Sequence, residues 1–315
     1  MNVMYSRQTI APWSQVAILL GVTGAGLILG GFAVLATVIG MTHLPMTEAI
    51  NAIKDPKYVD AARMAQCVGA LVSFGIPAVI FAVIVGGKPF NYLGFNKNAT
   101  AKQLTYVIIA MFTAIFVSAA LGELNQMIPV GKSLMEKFKR MEDEYKDQVV
   151  VIATMKNYRD LILTLITIAL IPAVVEELLF RSCLQPVMIN LTRNVFVGIL
   201  ITSILFSAIH FSFYGFLARM FLGLLLGYIY YFSKNAWLNI FAHFFNNAIV
   251  VVQMYALSKA GKMNTESMDD HFPWYLGIAG ALTVIFVMIL FKRESDRIID
   301  NGQFLPDRIH SGGDN

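Results

Sequence analysis

Five polar side chains, four of which could perform acid–base chemistry, interrupt three otherwise apolar stretches of the sequence. Glu176 and Glu177 are adjacent in one stretch, His210 lies at the end of the next, and His243 and Asn247 share a third. An ionisable side chain inside a membrane helix costs about 2.5–3.5 kcal/mol, so its retention indicates a function. We therefore take this set as a candidate catalytic site.

Helix geometry separates the two carboxylates. Residues four positions apart share a helix face, so Arg181 is expected to neutralise Glu177. Glu176 is turned by about 100° and stays available for chemistry. His243 and Asn247 also share a face.

Hairpin geometry predicts that two of the motifs meet. Asn190 to Asn194 has the composition of a turn, and Glu176 lies as far before Arg193 as His210 lies after it. Antiparallel helices would place these two side chains at matching depth. The next turn on that side, at 233–235, puts His243 and Asn247 about 14 and 20 Å down their helix, against about 25 Å for the first two residues. Helix tilt or protrusion of the first hairpin would close this gap.

The side chains of the three motifs favour hydrolysis of an amide by activated water. A glutamate in a low-dielectric cavity can act as general base, a histidine can orient the water or carry the proton, and His243 with Asn247 can stabilise an oxyanion. Alternatively, Glu176, His210 and His243 could hold a zinc ion with an open position. Asn247 favours the metal-free route, because an amide is a poor zinc ligand but a good oxyanion donor. Serine-elbow and H-E-x-x-H motifs are missing from the sequence.

Composition identifies a membrane protein. The 315 residues are 57% hydrophobic and only 14% charged, with a mean hydropathy of +0.64, whereas soluble domains carry about 25% charged residues. The cationic residues are scattered, which argues against nucleic-acid binding. The lipid bilayer is the expected partner. We expect an all-α polytopic bundle of about eight spans, near 16–41, 66–86, 104–122, 161–184, 195–211, 216–232, 236–257 and 274–291.

Three regions follow from this pattern. Residues 1–160 form scaffold spans with an amphipathic surface helix at about 131–148, which either seals the bundle rim or gates substrate entry. Residues 161–257 form the catalytic core, and residues 258–315 hold the last span and a polar tail. GxxxG spacings at Gly26 and Gly30, and at Gly223 and Gly227, indicate close helix packing.

Charge distribution predicts the orientation. The loop from Lys88 to Gln103 contains three lysines and no acid, and a basic cluster follows the last span. By the positive-inside rule both termini are cytoplasmic. In a bacterium the protein would lie in the cytoplasmic membrane.

The motifs resemble those of the CPBP family, which comprises type II CAAX prenyl endopeptidases and bacteriocin-processing or immunity proteases. The resemblance covers roughly residues 172–252. It implies an intramembrane endopeptidase, often called a metalloprotease, that acts on a peptide or protein substrate, prenylated in some members. It assigns water activation to Glu176 and His210, and oxyanion or metal binding to His243 and Asn247. The residues that carry it are Glu176-Glu177-x-x-x-Arg181, Phe206-x-x-x-His210 and His243-x-x-x-Asn247, supported by Phe221-x-Gly223-x-x-x-Gly227 and Trp237-Leu238.

Two non-enzymatic functions compete with this one. A proton-coupled transporter could use the same buried glutamates and histidines as a relay, and an adaptor could keep the cavity without catalysis. A transporter is favoured by inverted repeats, but the first four predicted spans contain no counterpart of the histidine motifs. The sequence therefore favours a hydrolase, with Glu176, Glu177, His210, His243 and Asn247 as catalytic residues and with Arg181 and Phe206 in support.

Overall fold

A computed structural model describes residues 10–95, 99–153, 155–262 and 273–300. Within these ranges the regular elements are helices, and no strand occurs. Lys97 and the polar tail after Asp300, both used in the sequence predictions, lie outside the described residues. The helices are α1 (Pro12–Thr42), α2 (Met46–Ala52), α3 (Pro56–Gly86), α4 (Pro89–Tyr92), α5 (Ala101–Gln126), α6 (Lys132–Ala153), α7 (Tyr158–Thr192), α8 (Val195–Ala208), α9 (Phe216–Ser233), α10 (Ala236–Lys259) and α11 (Trp274–Asp300).

The predicted all-α polytopic bundle is confirmed. Seven helices, α1, α3, α5, α7, α9, α10 and α11, are long and apolar enough to cross a membrane. One apolar cluster joins α1, α3 and α7 around Phe81 and Phe180, and a second joins α5, α9, α10 and α11 around Leu226 and Phe291. These are the two largest of five apolar clusters in the described residues, and α7 and α10 bring the polar motifs together between them.

The fifth predicted span is shorter than expected. It was predicted to extend to residue 211, but α8 ends at Ala208 after 14 residues, which is about 21 Å at 1.5 Å per residue. The hydrocarbon core is about 30 Å thick. The chain leaves the helix because Phe211 adopts a positive φ of 49°, and the Ser207 hydroxyl donates to the Phe216 carbonyl oxygen at 2.7 Å. His210 therefore lies in a reversal, which we call the 209–215 loop, and not on a helix.

Both predicted hairpin turns are present, and they share the same backbone conformation and capping residue. Arg193 and Lys234 end their helices in the left-handed region, with φ of 53° and 52°. Asn194 and Asn235 then cap the following helices by accepting hydrogen bonds from Val197 and Leu238 N–H groups. Left-handed C-terminal residues and asparagine N-caps are common helix boundaries. These short turns set α7 against α8, and α9 against α10.

Three π-helical turns widen the spans, each two residues before a proline. Leu71–Gly75 precedes Pro77, Leu165–Leu170 precedes Pro172, and Glu177–Leu184 precedes Pro186. Proline removes a backbone donor and crowds the preceding turn, which favours a wider turn there. The last of these turns begins at a motif carboxylate.

The segment predicted to be amphipathic is helical and forms α6, which continues to Ala153. Its carboxyl end is fixed, because the Ile152 carbonyl accepts from Arg63 Nη2 at 3.0 Å and Nε at 3.2 Å. Its amino-terminal half lies over the 209–215 loop, where the Phe138 ring stacks on Phe213 with centroids 4.4 Å apart. The helix thus covers the loop that carries His210.

The glycine pairs lie at close helix contacts, as predicted. A side chain at Gly30 would collide with Ser73 on α3, and one at Gly227 would collide with Ile199 on α8. The second contact packs α9 against α8 and so supports the loop after α8.

Candidate active site

The Glu177 carboxylate is the centre of the polar cluster and is 1% exposed. Its Oε1 atom accepts from Arg181 Nη1 at 2.8 Å and lies 2.8 Å from His243 Nδ1. Its Oε2 atom accepts from the Asn239 side-chain amide. The expected pair with Arg181 is therefore present, although the helix is π-helical from Glu177 onward. Both oxygens of Glu177 are occupied, so this carboxylate holds other side chains in place.

Asn239 is a site residue that the sequence analysis missed. It is fully buried and lies one helical turn before His243 on α10. The available signal was its spacing, because residues four apart share a helix face. Asn239 and His243 together fix α10 to α7 through one carboxylate.

Glu176 differs from its neighbour in having no hydrogen bond among the described residues. Its side chain is 12% exposed, against 1% for Glu177, and its Oε2 atom lies 3.9 Å from His243 Nε2. This distance exceeds that of a hydrogen bond. His243 is thus bound through Nδ1 by one carboxylate and faces the other with Nε2.

Phe206 lies between the two histidines. Its ring centroid is 5.3 Å from that of His210 and 5.9 Å from that of His243, with steep interplanar angles. The Arg181 guanidinium lies 4.2 Å from the same ring on its face, as in a cation–π contact. Phe206 is 1% exposed and therefore spaces the histidines and packs the arginine.

The His210 ring is oriented by the backbone at the end of α8, the helix that precedes it. Nδ1 lies 2.9 Å from the Phe206 carbonyl oxygen, so a proton on Nδ1 satisfies that bond and leaves Nε2 as the other ring nitrogen. The structure thus brings His210 to the cluster through Phe206, in a loop position that the periodicity of the sequence did not predict.

Asn247 lies one turn beyond His243 on α10. Its Nδ2 atom donates to the Ile168 carbonyl of α7 at 3.5 Å, and its Oδ1 accepts from Asn246 at 3.3 Å. Among the described contacts none joins Asn247 to Glu176 or to His210. Its amide makes one long bond to another helix and shares the face of His243.

Helix α6 places a tyrosine within electrostatic range of the site. Tyr145 is 40% exposed, yet burial of its hydroxyl raises its pKa, the nearby Arg219 charge lowers it, and Glu142 and Glu176 raise it. Glu142 also accepts a hydrogen bond from the Ser212 hydroxyl. The sequence identified α6 as amphipathic but gave no signal that one of its side chains lies within electrostatic range of Glu176.

The residues considered for zinc do not form a metal site in this arrangement. In the described part of the chain, no three His, Cys, Asp or Glu side chains form a group that could hold a metal ion. Nδ1 of each histidine is engaged, by Glu177 in one case and by the Phe206 carbonyl in the other, which among the described residues leaves each Nε2 open but supplies no third ligand. We therefore derive no step that requires a metal.

Fold and site together define a polytopic helical membrane protein with a buried Glu–His cluster. Residues 158–249 match the family model described as type II CAAX prenyl endopeptidase Rce1-like. This match confirms the resemblance drawn from the three motifs and supports a membrane protease of the CAAX type.

A curated protein supports the same class. The Bacillus subtilis (strain 168) protein named "Putative membrane peptidase YdiL" is 23% identical over 190 residues, which are 60% of this chain and 72% of that protein. No solved structure matches the chain.

Proposed function

We propose that the protein is an intramembrane endopeptidase that hydrolyses a peptide bond with water activated by Glu176. The observation that carries the proposal is the difference between the adjacent carboxylates. Glu177 is neutralised and held by three side chains, whereas Glu176 has no hydrogen bond among the described residues and faces His243. A buried carboxylate whose oxygens are not occupied by other side chains can take a proton from water.

The geometry suggests where the water binds. Glu176 Oε2 and His243 Nε2 are 3.9 Å apart, so one water oxygen can lie about 2.8 Å from both atoms, at ordinary hydrogen-bond length. Glu176 would remove the proton as the oxygen attacks the carbonyl carbon. His210, across the Phe206 ring, would orient the water, or would accept the proton from Glu176 at Nε2 and deliver it to the amine nitrogen as the C–N bond breaks.

The oxyanion requires donors once water has attacked. Nδ1 of His243 donates to Glu177 at 2.8 Å, so Nε2 can donate to the oxyanion when the ring carries both protons. Asn247 on the same helix face can contribute an amide N–H. Donors fixed before the reaction stabilise the developing charge without reorganisation. Glu177, Arg181, Asn239 and Phe206 would then be positioning residues.

The substrate class follows from the family match and remains part of the proposal. A membrane-associated peptide or protein fits a site covered by α6, and a prenylated peptide ending in C-a-a-X fits the name of the family model. We propose no nucleic-acid partner and no required metal.

The test is cleavage by purified protein in lipid nanodiscs. The probes are a farnesylated C-a-a-X peptide and an unprenylated transmembrane peptide, analysed by mass spectrometry. Glu176→Gln should lower turnover by about 10²–10⁴-fold, as expected for loss of a general base, while the protein stays folded. The control is Glu294→Gln, because Glu294 is also a buried glutamate but pairs with Arg297 and Thr100 away from the site.

The possible outcomes separate the functional classes. Cleavage by the wild type and by Glu294→Gln, with loss in Glu176→Gln, supports the protease. Full activity of Glu176→Gln removes Glu176 as the base. Binding of either probe without cleavage would favour an adaptor. Proton flux across proteoliposomes that contain the protein would favour a transporter.

A further inference from the structure

The 209–215 loop is held by side chains from several helices. Arg219 Nη2 donates to the Ser212 carbonyl at 2.6 Å, and Ser207 Oγ donates to the Phe216 carbonyl at 2.7 Å. Asn125, at the end of α5, donates from Nδ2 to the Phe213 carbonyl at 2.8 Å. Asn125 is distant in sequence from the loop that it contacts.

Asn125 also binds the next helix. Its Oδ1 atom accepts from the Leu217 N–H group at 2.9 Å. The first N–H groups of a helix lack partners within the helix, and a capping side chain normally satisfies one of them. The capping position of α9 is Gly215, which offers no side chain. Asn125 therefore acts as an N-cap supplied by another helix.

Both halves of the Asn125 amide are in use, and the residue is 1% exposed. An amide donates from its nitrogen while it accepts at its oxygen, and among side chains only Asn and Gln carry an amide. The two bonds fix Phe213 and Leu217 relative to α5. They thus set the carboxyl-terminal end of the loop whose other end carries His210.

The position of His210 depends on this end of the loop. Its ring is bound to the Phe206 carbonyl of α8, but the next residue, Phe211, has a positive φ of 49°, which is unfavourable for a bulky residue unless surrounding contacts maintain it. Release of Phe213 and Leu217 would let the loop relax and would move His210 away from Phe206.

We propose that Asn125 is a positioning residue for His210. The effect on kcat that this inference predicts rests on the proposed function. Asn125 lies outside residues 158–249, which match the family model. The site is therefore completed by a side chain from the scaffold spans, and the family segment alone does not hold His210 in place.

The experiment compares two substitutions on α5. Asn125→Leu removes both hydrogen bonds at similar volume. Gln103→Leu removes an equally buried amide that binds Ser295 on α11 at 2.9 Å, away from the site. With the farnesylated C-a-a-X peptide, Asn125→Leu should lower kcat about 10- to 100-fold with little change in KM, since small displacements of catalytic groups have effects of this size. Gln103→Leu should lower thermal stability without changing kcat.

A second measurement needs no substrate. Hydrogen–deuterium exchange should become faster in residues 209–217 of Asn125→Leu, and should stay unchanged there in Gln103→Leu. Unchanged exchange in that segment, or a kcat that falls equally in both variants, overturns the inference. If the wild type cleaves neither probe but exchange rises as expected, the proposed function fails while Asn125 still positions the loop.

Discussion

Two buried arginines occupy different settings in this protein, and the comparison shows what marks the site. Arg63 is 3% exposed and contacts Asp60 at 3.3 Å, Asp160 at 3.4 Å and the Ile152 carbonyl. Arg181 is fully buried and contacts Glu177 at 2.8 Å and the face of Phe206. We call these sets the Arg63 cluster and the Glu177 cluster, the latter including His243 and Asn239.

The charges of the two clusters differ. In the Arg63 cluster, Asp60 and Asp160 are matched by Arg63 and by Arg159, whose Nη2 lies 2.9 Å from Asp60. In the Glu177 cluster, Arg181 matches Glu177 and leaves Glu176 as an additional carboxylate. A matched set fastens helix ends, here α3, α6 and α7. A buried carboxylate without a matching cation indicates a catalytic function, because its burial costs free energy and such a residue is retained only where function requires it.

The largest effect on stability is expected from Glu177→Gln. It leaves the Arg181 charge buried without its partner, and breaking a buried pair in this way costs about 3–5 kcal/mol. The measurement is thermal unfolding in detergent, followed by tryptophan fluorescence. The double variant Glu177→Gln/Arg181→Met removes both charges and should recover much of the loss. An equally unstable double variant would show that the lost contacts of Glu177 with Asn239 and His243 on α10, and not the unpaired Arg181 charge, cause the instability.

The next largest effect concerns catalysis. Asn247→Ala should lower kcat by about 10²–10³-fold with KM nearly unchanged, as expected for an oxyanion donor. Its one bond to α7 is long, so stability should change little. Steady-state kinetics on the cleaved probe give the two constants. A rise in KM at constant kcat would make Asn247 a substrate-binding residue instead.

A smaller effect should follow from weakening the Arg63 cluster. Asp160→Asn keeps an acceptor for the Lys156 N–H group, now bonded at 2.9 Å, but removes the charge that attracts Arg63. Loss of a hydrogen bond to a charged group costs about 1.5–3 kcal/mol. Unfolding should occur at lower temperature, whereas kcat per folded molecule should stay within about twofold. A loss of kcat as large as that of Asn247→Ala would contradict the assignment of a purely structural role to the Arg63 cluster.

Cysteine labelling perturbs the protein least and tests the orientation of both regions. Single cysteines at Lys88 and Asp296 should react with an impermeant maleimide only from the cytoplasmic side, as the lysine-rich loop and an even number of spans predict. A cysteine at Lys137 on α6 should react only from the opposite side. Reaction of the first two from different sides would mean that the short α8 does not cross the membrane.

Much of this architecture could be predicted because it is local. Apolar runs predicted the spans, asparagine-containing turns predicted the hairpins, and the four-residue spacing predicted the Glu177–Arg181 pair. The loop position of His210 could not be predicted, since helix periodicity continues through residue 209 without a breaker. Asn125 and Asn239 were missed because their partners are distant in sequence, and a single amide in an apolar run carries no directional signal.

The central claim is that Glu176, His210 and His243 activate water without a metal ion, and metal removal tests it most directly. Protein treated with a chelator and shown by elemental analysis to be free of zinc should cleave the probe at the rate of the untreated protein. Stoichiometric zinc in the untreated protein, lost together with activity on chelation and regained with it on readdition, would contradict the claim.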